Sequence, residues 1–296
     1  MENRGLGNFC NAKFSVIGFA DDLAVKNVNG RLGARSGPAK FLEYLKKLKG
    51  ELPILESILH EEVPIMSEDL DSNHREAARL IEGSIKKFTS RHDSTIAVGG
   101  GHDYAYPWLL GIRRALANKT RLACINLDAH FDLRDYRPVM TSGSPFRRLI
   151  DEGVLAPSRL VEFGIQNHCN GRELWDYARK SKIKTLPMER LRNGKAVSEF
   201  KRVLGDLRKK ADVIAISLDL DAISLAYAPG VSAPQPEGFT ASEAYQMLEI
   251  AGADPKVRSL GIFELAPPLD VQDQTARLAA QAAWKFMVSK SGGKSR

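Results

Sequence analysis

Three short segments hold most of the residues in this chain whose types and spacing could do metal chemistry. Cys124-Ile-Asn-Leu-Asp128-Ala-His130-Phe-Asp132 sets two carboxylates and an imidazole at spacing two where an apolar run stops. Ile214-Ala-Ile-Ser-Leu-Asp219-Leu-Asp221 repeats the spacing with two more carboxylates. Ser94-Thr-Ile-Ala-Val-Gly-Gly-Gly-His102-Asp103 ends an apolar run in glycines and delivers a further imidazole. Alternate residues of a strand face the same way. Asp128, His130 and Asp132 are therefore expected to converge on one spot, and Asp219 and Asp221 on another. Four carboxylates and two neutral nitrogens suffice for two divalent ions that share ligands, and paired ions generate hydroxide from water at neutral pH. Carboxylate and imidazole without sulfur suit manganese and tolerate cobalt, iron(II) or zinc. A single His102 would more often be structural. Three ionisable groups on one strand face, however, are costly without a cation to neutralise them.

The elements that must position these groups are read from the hydrophobic pattern. Short apolar runs alternate with amphipathic stretches from end to end, the signature of parallel βα units. Strands are expected at Phe14 to Phe19, Thr95 to Val98, Leu122 to Leu127, Leu160 to Ile165, Lys184 to Leu186, Val213 to Leu218 and Ser259 to Leu265. Most lack polar alternation, as expected when helices cover both sheet faces. Ala77, Ile81, Ile85 and Phe88 form one helical stripe behind the capping candidates Ser72 and Asn73. Thr240-Ala-Ser-Glu243 is a capping-box pattern, and Pro38 falls near the first turn of the helix carrying Phe41, Leu45 and Leu48. The fold class is α/β: a single doubly wound domain with a mostly parallel sheet flanked by helices. It is expected to span residues 1–288, with 289–296 a polar, glycine-rich tail that frays. In such a sheet ligands bind beyond the carboxyl ends of the strands, where all three metal-type segments end.

Composition narrows the partners. The 296 residues are 43% hydrophobic and 27% charged, as in an ordinary globular chain. A net charge of +7 could signal a polyanion. The basic residues, however, spread along helical stretches such as Lys40 to Lys49 and Lys201 to Lys210, without an aromatic-interleaved stripe, so no nucleic-acid partner is expected. Cys10, Cys124 and Cys169 show no CxxC spacing and an odd count, which argues against a disulfide framework or a thiolate zinc site. The first residues, Met1-Glu-Asn-Arg-Gly-Leu-Gly-Asn, lack a signal-peptide apolar region, and no run approaches the ~20 residues of a membrane span. The expectation is a cytoplasmic protein with no membrane partner.

Gly99-Gly-Gly-His102, Asp128-Ala-His130-Phe-Asp132 and Ser217-Leu-Asp219-Leu-Asp221 together resemble the three metal-binding signatures of the arginase, or ureohydrolase, family. Asn29-Gly-Arg31-Leu-Gly-Ala-Arg-Ser-Gly-Pro38 is similar to its N-terminal substrate loop. Phe263-Glu264-Leu with Gln274-Thr-Ala-Arg-Leu-Ala-Ala280 is similar to its C-terminal signature. The resemblance implies an arginase-like fold and two Mn2+ per chain. His102 would hold one ion and His130 the other, with Asp128 and Asp219 bridging and Asp132 and Asp221 completing the two spheres. Asp132 and Glu264 would be catalytic, Asp132 by hydrogen-bonding the nucleophilic hydroxide and Glu264 by binding the substrate's amidine or guanidine nitrogens. The alternative for Glu264 is a buried strand-end carboxylate paired to Arg277. Members of the family often assemble as trimers or hexamers, so a homo-oligomer is a further implication.

Departures from the pattern point to the substrate. Ser224-Leu225 stands where arginases and agmatinases usually read Asp-Pro, Ser142-Gly143 where they place a histidine before glycine, and Arg134 where an arginase has asparagine. Loss of that histidine speaks against ordinary arginase activity. Ala228-Pro-Gly-Val-Ser-Ala-Pro234 and Phe163-Gly-Ile-Gln166 resemble the formimidoylglutamase branch. That branch implies cleavage of the C–N bond of N-formimidoyl-L-glutamate to L-glutamate and formamide, through attack of a metal-bridging hydroxide on the amidine carbon. The substrate carries two carboxylates, which extra arginines (Arg31, Arg134 and Arg147) could pair bidentately. Substrate-binding residues are thus expected to be Arg31, Arg134, Ser142 and Glu264. The alternatives are an agmatinase, an arginase or another guanidino-acid hydrolase, for which cationic agmatine sits poorly beside Arg134, and a non-catalytic binding protein, against which the intact six-ligand set argues.

Overall fold

Every apolar run expected to pair does so, in one sheet. The structure, a computed structural model, describes residues 12–50, 54–90 and 92–292. Cys10, the first residues read for a signal peptide and 293–296 of the expected tail lie outside the described residues. The strands are β1 (Phe14–Gly18), β2 (Ile58–Glu62), β3 (Ser94–Val98), β4 (Leu122–Leu127), β5 (Leu160–Ile165), β6 (Lys184–Pro187), β7 (Val213–Asp219) and β8 (Val257–Phe263). They run parallel in the order β2-β1-β3-β8-β7-β4-β5-β6. The helices are α1 (Leu23–Asn27), α2 (Gly37–Leu45), α3 (Leu70–Lys86), α4 (Ala105–Ala115), α5 (Pro145–Asp151), α6 (Arg172–Lys180), α7 (Met188–Leu191), α8 (Ala196–Lys210), α9 (Ala241–Ala253) and α10 (Gln274–Lys290).

Alternation within the strands divides the core in two. Val16, Ile125, Ile216 and Ile262 face one side, where Phe41 of α2, Phe200 of α8, Met247 of α9 and Phe286 of α10 cover them. Ile17, Cys124, Ala215 and Phe263 face the other, beneath Ile81 of α3, Trp108 of α4, Leu149 of α5 and Leu174 of α6. Both faces of the central strands are dry, so the strands read as continuous apolar runs. Among the described residues no helix is long and apolar enough to cross a membrane.

Local details differ from expectation for identifiable reasons. β2 was not anticipated, because Ile58-Leu-His-Glu-Glu62 is an edge strand that is half-exposed and charged. The cap of α3 is Asp69, whose side chain accepts from the Asp71 amide, while Ser72 and Asn73 lie inside the helix. Asn73 is instead buried and donates to Asp21 Oδ2 at 2.8 Å. The capping box at Thr240 and Glu243 is present as read, and Pro38 sits in the first turn of α2. α10 runs through Ser289 and Lys290, so the first two residues of the expected tail are helical; the Lys290 ammonium donates to the Asp254 carbonyl at 2.8 Å.

Candidate metal centre

Four neighbouring strands, β3, β8, β7 and β4, end at one edge, and each releases a polar residue there. After β3, Gly99 and Gly100 take φ of +79° and +71°, a conformation costly for residues with a Cβ. A Cβ at Gly99 would also stand 2.5 Å from Pro38 Cγ. This turn under α2 delivers His102. After β4 the chain leaves the strand at Leu127 and reaches Asp132, itself at φ 52°. After β7 a single turn over Leu220–Ala222 follows, and Asp219 Oδ1 accepts from the Asp221 amide at 2.8 Å. After β8, Glu264 at φ 66° ends the strand two residues earlier than expected, and its Oε1 accepts from the His102 amide at 2.9 Å.

The side chains gather in two groups that share Asp128: His102, Asp128, Asp132 and Asp219, and Asp128, His130 and Asp221. His102 Nδ1 lies 3.0 Å from Asp128 Oδ2, 2.9 Å from Asp132 Oδ2 and 3.0 Å from Asp219 Oδ2. His130 Nδ1 lies 3.0 Å from Asp221 Oδ2 and 3.6 Å from Asp128 Oδ1. The grouping corrects the expectation from strand alternation, which placed Asp128, His130 and Asp132 on one spot and Asp219 with Asp221 on another; the partition implied by the resemblance is matched in separating His102 from His130 and sharing Asp128, whereas Asp219, implied as a second bridge, falls in the first group alone. These residues lie beyond their strands or at the last strand position, where turns replace strict alternation, so each group draws on more than one segment.

The electrostatics describe a site built for cations. Burial opposes protonation of His102, but Asp128, Asp132 and Asp219 outweigh it and raise its pKa well above the usual imidazole value. Burial likewise opposes charge on His130, and the Asp221 and Asp128 carboxylates raise it. Burial and neighbouring anions push Asp219 and Glu264 well up and Asp132 up, and burial takes Asp221 to about 6. Asp128 alone is held low: burial would raise it, but the two imidazoles prevail. The His102 Nδ1, Asp221 Oδ1 and Glu264 Oε2 atoms are buried and lack a hydrogen-bond partner. Buried, mutually repelling oxygens and the unpartnered His102 Nδ1 fit divalent cations, which would supply the missing charge.

A cavity of about 360 Å³ opens over this cluster, lined by His102, His130, Asp132, Asp219, Asp221 and Glu264 below and by Arg31, Arg134 and Ser142 towards solvent. Arg31 is engaged: its Nε and Nη2 donate to the Ser232 and Val231 carbonyls, both at 2.8 Å. Arg134 is exposed, and among the described residues no side chain or carbonyl pairs with its guanidinium. It packs over Gly143, where a Cβ would meet its Cδ at 3.0 Å. Arg147 is not in the cavity; it pairs with Asp151 at 3.0 Å and stacks on Tyr177. Arg277 stacks on Tyr44, so the Glu264–Arg277 pairing does not form.

Sequence reasoning missed several supports. Ser217 Oγ lies 2.8 Å from His102 Nε2. Asn170 holds the loop around His130, accepting from the Phe131 amide at 2.9 Å and donating to the Ala129 carbonyl at 2.9 Å. Ser217 stands two residues before Asp219 in a strand, a spacing that could have exposed its role; the loop residue Asn170 carries no such signal.

Comparison with known proteins gives the family and the fold likeness. The sequence model of the arginase family matches residues 12–289. The chain is 32% identical over 291 residues to the formimidoylglutamase of Streptococcus pyogenes serotype M3, covering 95% of this chain and 85% of that protein. Trypanosoma cruzi formiminoglutamase, solved with Mn2+, superposes with a TM-score of 0.85 at 26% identity, covering 96% of this chain and 95% of that one. Formimidoylglutamase from Bacillus subtilis superposes at 0.87 over 100% of this chain and 90% of its own; at 23% identity this is a likeness of fold.

Proposed function

Because the chain belongs to the arginase family and is a formimidoylglutamase-type hydrolase of amidine C–N bonds, we propose that it converts N-formimidoyl-L-glutamate and water to L-glutamate and formamide with two Mn2+ ions. The observation that carries this reading is one cavity in which a buried cluster of carboxylates and imidazoles lies below and Arg134, without a partner among the described residues, stands towards solvent.

His102, Asp128, Asp132 and Asp219 would hold one ion, and Asp128, His130 and Asp221 the other. When bound, such a pair lowers the pKa of water towards neutrality and polarises the carbon under attack. The chain's own groups do the rest. Glu264 Oε2, buried and unpartnered, accepts an N–H of the amidine and orients its carbon over the cluster. Asp132 takes the proton from the attacking water and returns it to the glutamate nitrogen as the C–N bond breaks. Arg134 pairs with a carboxylate of the glutamate tail, with geometry an ammonium cannot offer.

The two ends of the substrate thus match the two ends of the cavity. A panel of N-formimidoyl-L-glutamate, arginine, agmatine and 4-guanidinobutyrate tests the proposal. Turnover of the first at least a hundredfold above the others is expected, and preferential turnover of agmatine or arginine would overturn it.

A further inference from the structure

Beneath the candidate ligands the sheet carries a row of polar residues that the reaction does not use. The register pairs Glu162 of β5 with Asn126 of β4, and Asn126 with Ser217 of β7. All three are fully buried, on the face otherwise filled by Cys124, Ala215 and the apolar side chains of α3 to α6. A buried acid and a buried amide are expensive there unless they make strong hydrogen bonds. A matched apolar pair would fill the same space without that cost.

The contacts show where the polarity is directed. Asn126 Nδ2 donates to Asp128 Oδ2 at 3.1 Å and to Glu162 Oε2 at 3.0 Å. Asp128 is the residue common to both ligand groups, and its oxygens are divided between them. Oδ1 accepts from the His130 amide at 2.7 Å and faces His130, while Oδ2, the one Asn126 holds, faces His102. An asparagine amide can flip and present its carbonyl instead. Glu162, an acceptor directly across the strand pair, holds the NH2 end in place and so keeps a donor on Asp128.

Resting on the dinuclear reading above, we propose that Asn126 and Glu162 are positioning residues that orient the shared carboxylate Asp128 and thereby set the affinity of the His102 half-site for its metal ion. Groups behind metal ligands generally change metal affinity by about ten- to a hundredfold when removed. The pair acts on one half-site because its hydrogen bond ends on Oδ2 alone. Glu162 acts as an acceptor, so an amide oxygen can replace its carboxylate.

The test is equilibrium binding of Mn2+ to the full chain, free Mn2+ being read by its electron paramagnetic resonance signal. The half-site is identified as the binding step that His102→Asn removes. Asn126→Leu and Glu162→Leu are each expected to weaken that step at least tenfold and to leave the other within about threefold. Glu162→Gln is expected to stay within about threefold of wild type at both steps. Wild-type constants in both leucine variants, at unchanged circular dichroism, would overturn the inference, as would a Glu162→Gln protein as weak as Glu162→Leu. If Asn126→Leu does not fold, the Leu and Gln variants of Glu162 decide between the same outcomes. A wild-type protein that takes up no Mn2+ would overturn the dinuclear reading as well.

Discussion

The Ser217 hydroxyl lies 2.8 Å from His102 Nε2, on the opposite edge of the ring from the three carboxylates that meet Nδ1. If Nδ1 is to offer a lone pair to a metal, Nε2 must carry the ring proton and donate it to Ser217 Oγ. Phe263 stacks on the same ring at 5.1 Å and fixes its plane. Ser217→Ala is therefore expected to weaken Mn2+ binding about tenfold at one of two steps with little loss of stability. Unchanged binding in a Mn2+ titration would show that the ring is held by packing alone.

His130 is the sole imidazole of the second group. His130→Asn is expected to leave one firmly bound ion per chain, since an amide is a poor substitute for imidazole at manganese. Metal analysis after dialysis checks this, and two retained ions would contradict the assignment.

Metal uptake should depend on pH. In the metal-free protein the pKa values of both imidazoles are raised, so they hold protons above the usual imidazole range, and Asp219 and Glu264 are raised too. Asp221 titrates at about 6. Ligands must lose these protons to bind a cation, so falling pH favours the proton-bound, metal-free form. The apparent Kd for Mn2+ is expected to rise at least about tenfold from pH 8.5 to pH 6.5. A pH-independent Kd would contradict the proton competition.

Arg134 is free to pair with a substrate carboxylate, whereas Arg31 already donates to two carbonyls. Arg134→Ala is expected to raise KM for N-formimidoyl-L-glutamate about tenfold or more, equivalent to about 1.4 kcal/mol or more, with Mn2+ content unchanged. Steady-state kinetics beside metal analysis would check it. An unaltered KM would move carboxylate recognition to Arg31.

Much of this was legible in the sequence because strands buried on both faces leave unbroken apolar runs. The interruption of such a run by Asp128, Asp219 or the glycines before His102 marks the edge where a site forms. What was not legible has physical causes. The edge strand β2 is half-solvated, so its charged residues hide the strand pattern. The partition of the ligands between two groups depends on turns at Asp132 and Leu220–Ala222, which periodicity does not describe. Arg147 was grouped with Arg31 and Arg134 by charge alone, yet it faces Asp151 and Tyr177. Asn126 and Ser217 lie two residues before Asp128 and Asp219, a spacing from which their place beneath the ligands could have been read but was not.

The proposed reaction cleaves the bond between the formimidoyl carbon and the glutamate nitrogen. The most direct measurement is product analysis of Mn2+-loaded protein with N-formimidoyl-L-glutamate, quantifying glutamate, formamide and ammonia together. Glutamate and formamide in equal amounts, without ammonia and with loss of turnover on chelation, are expected. Ammonia with N-formylglutamate, or no turnover in protein carrying two Mn2+ ions, would contradict the proposed reaction.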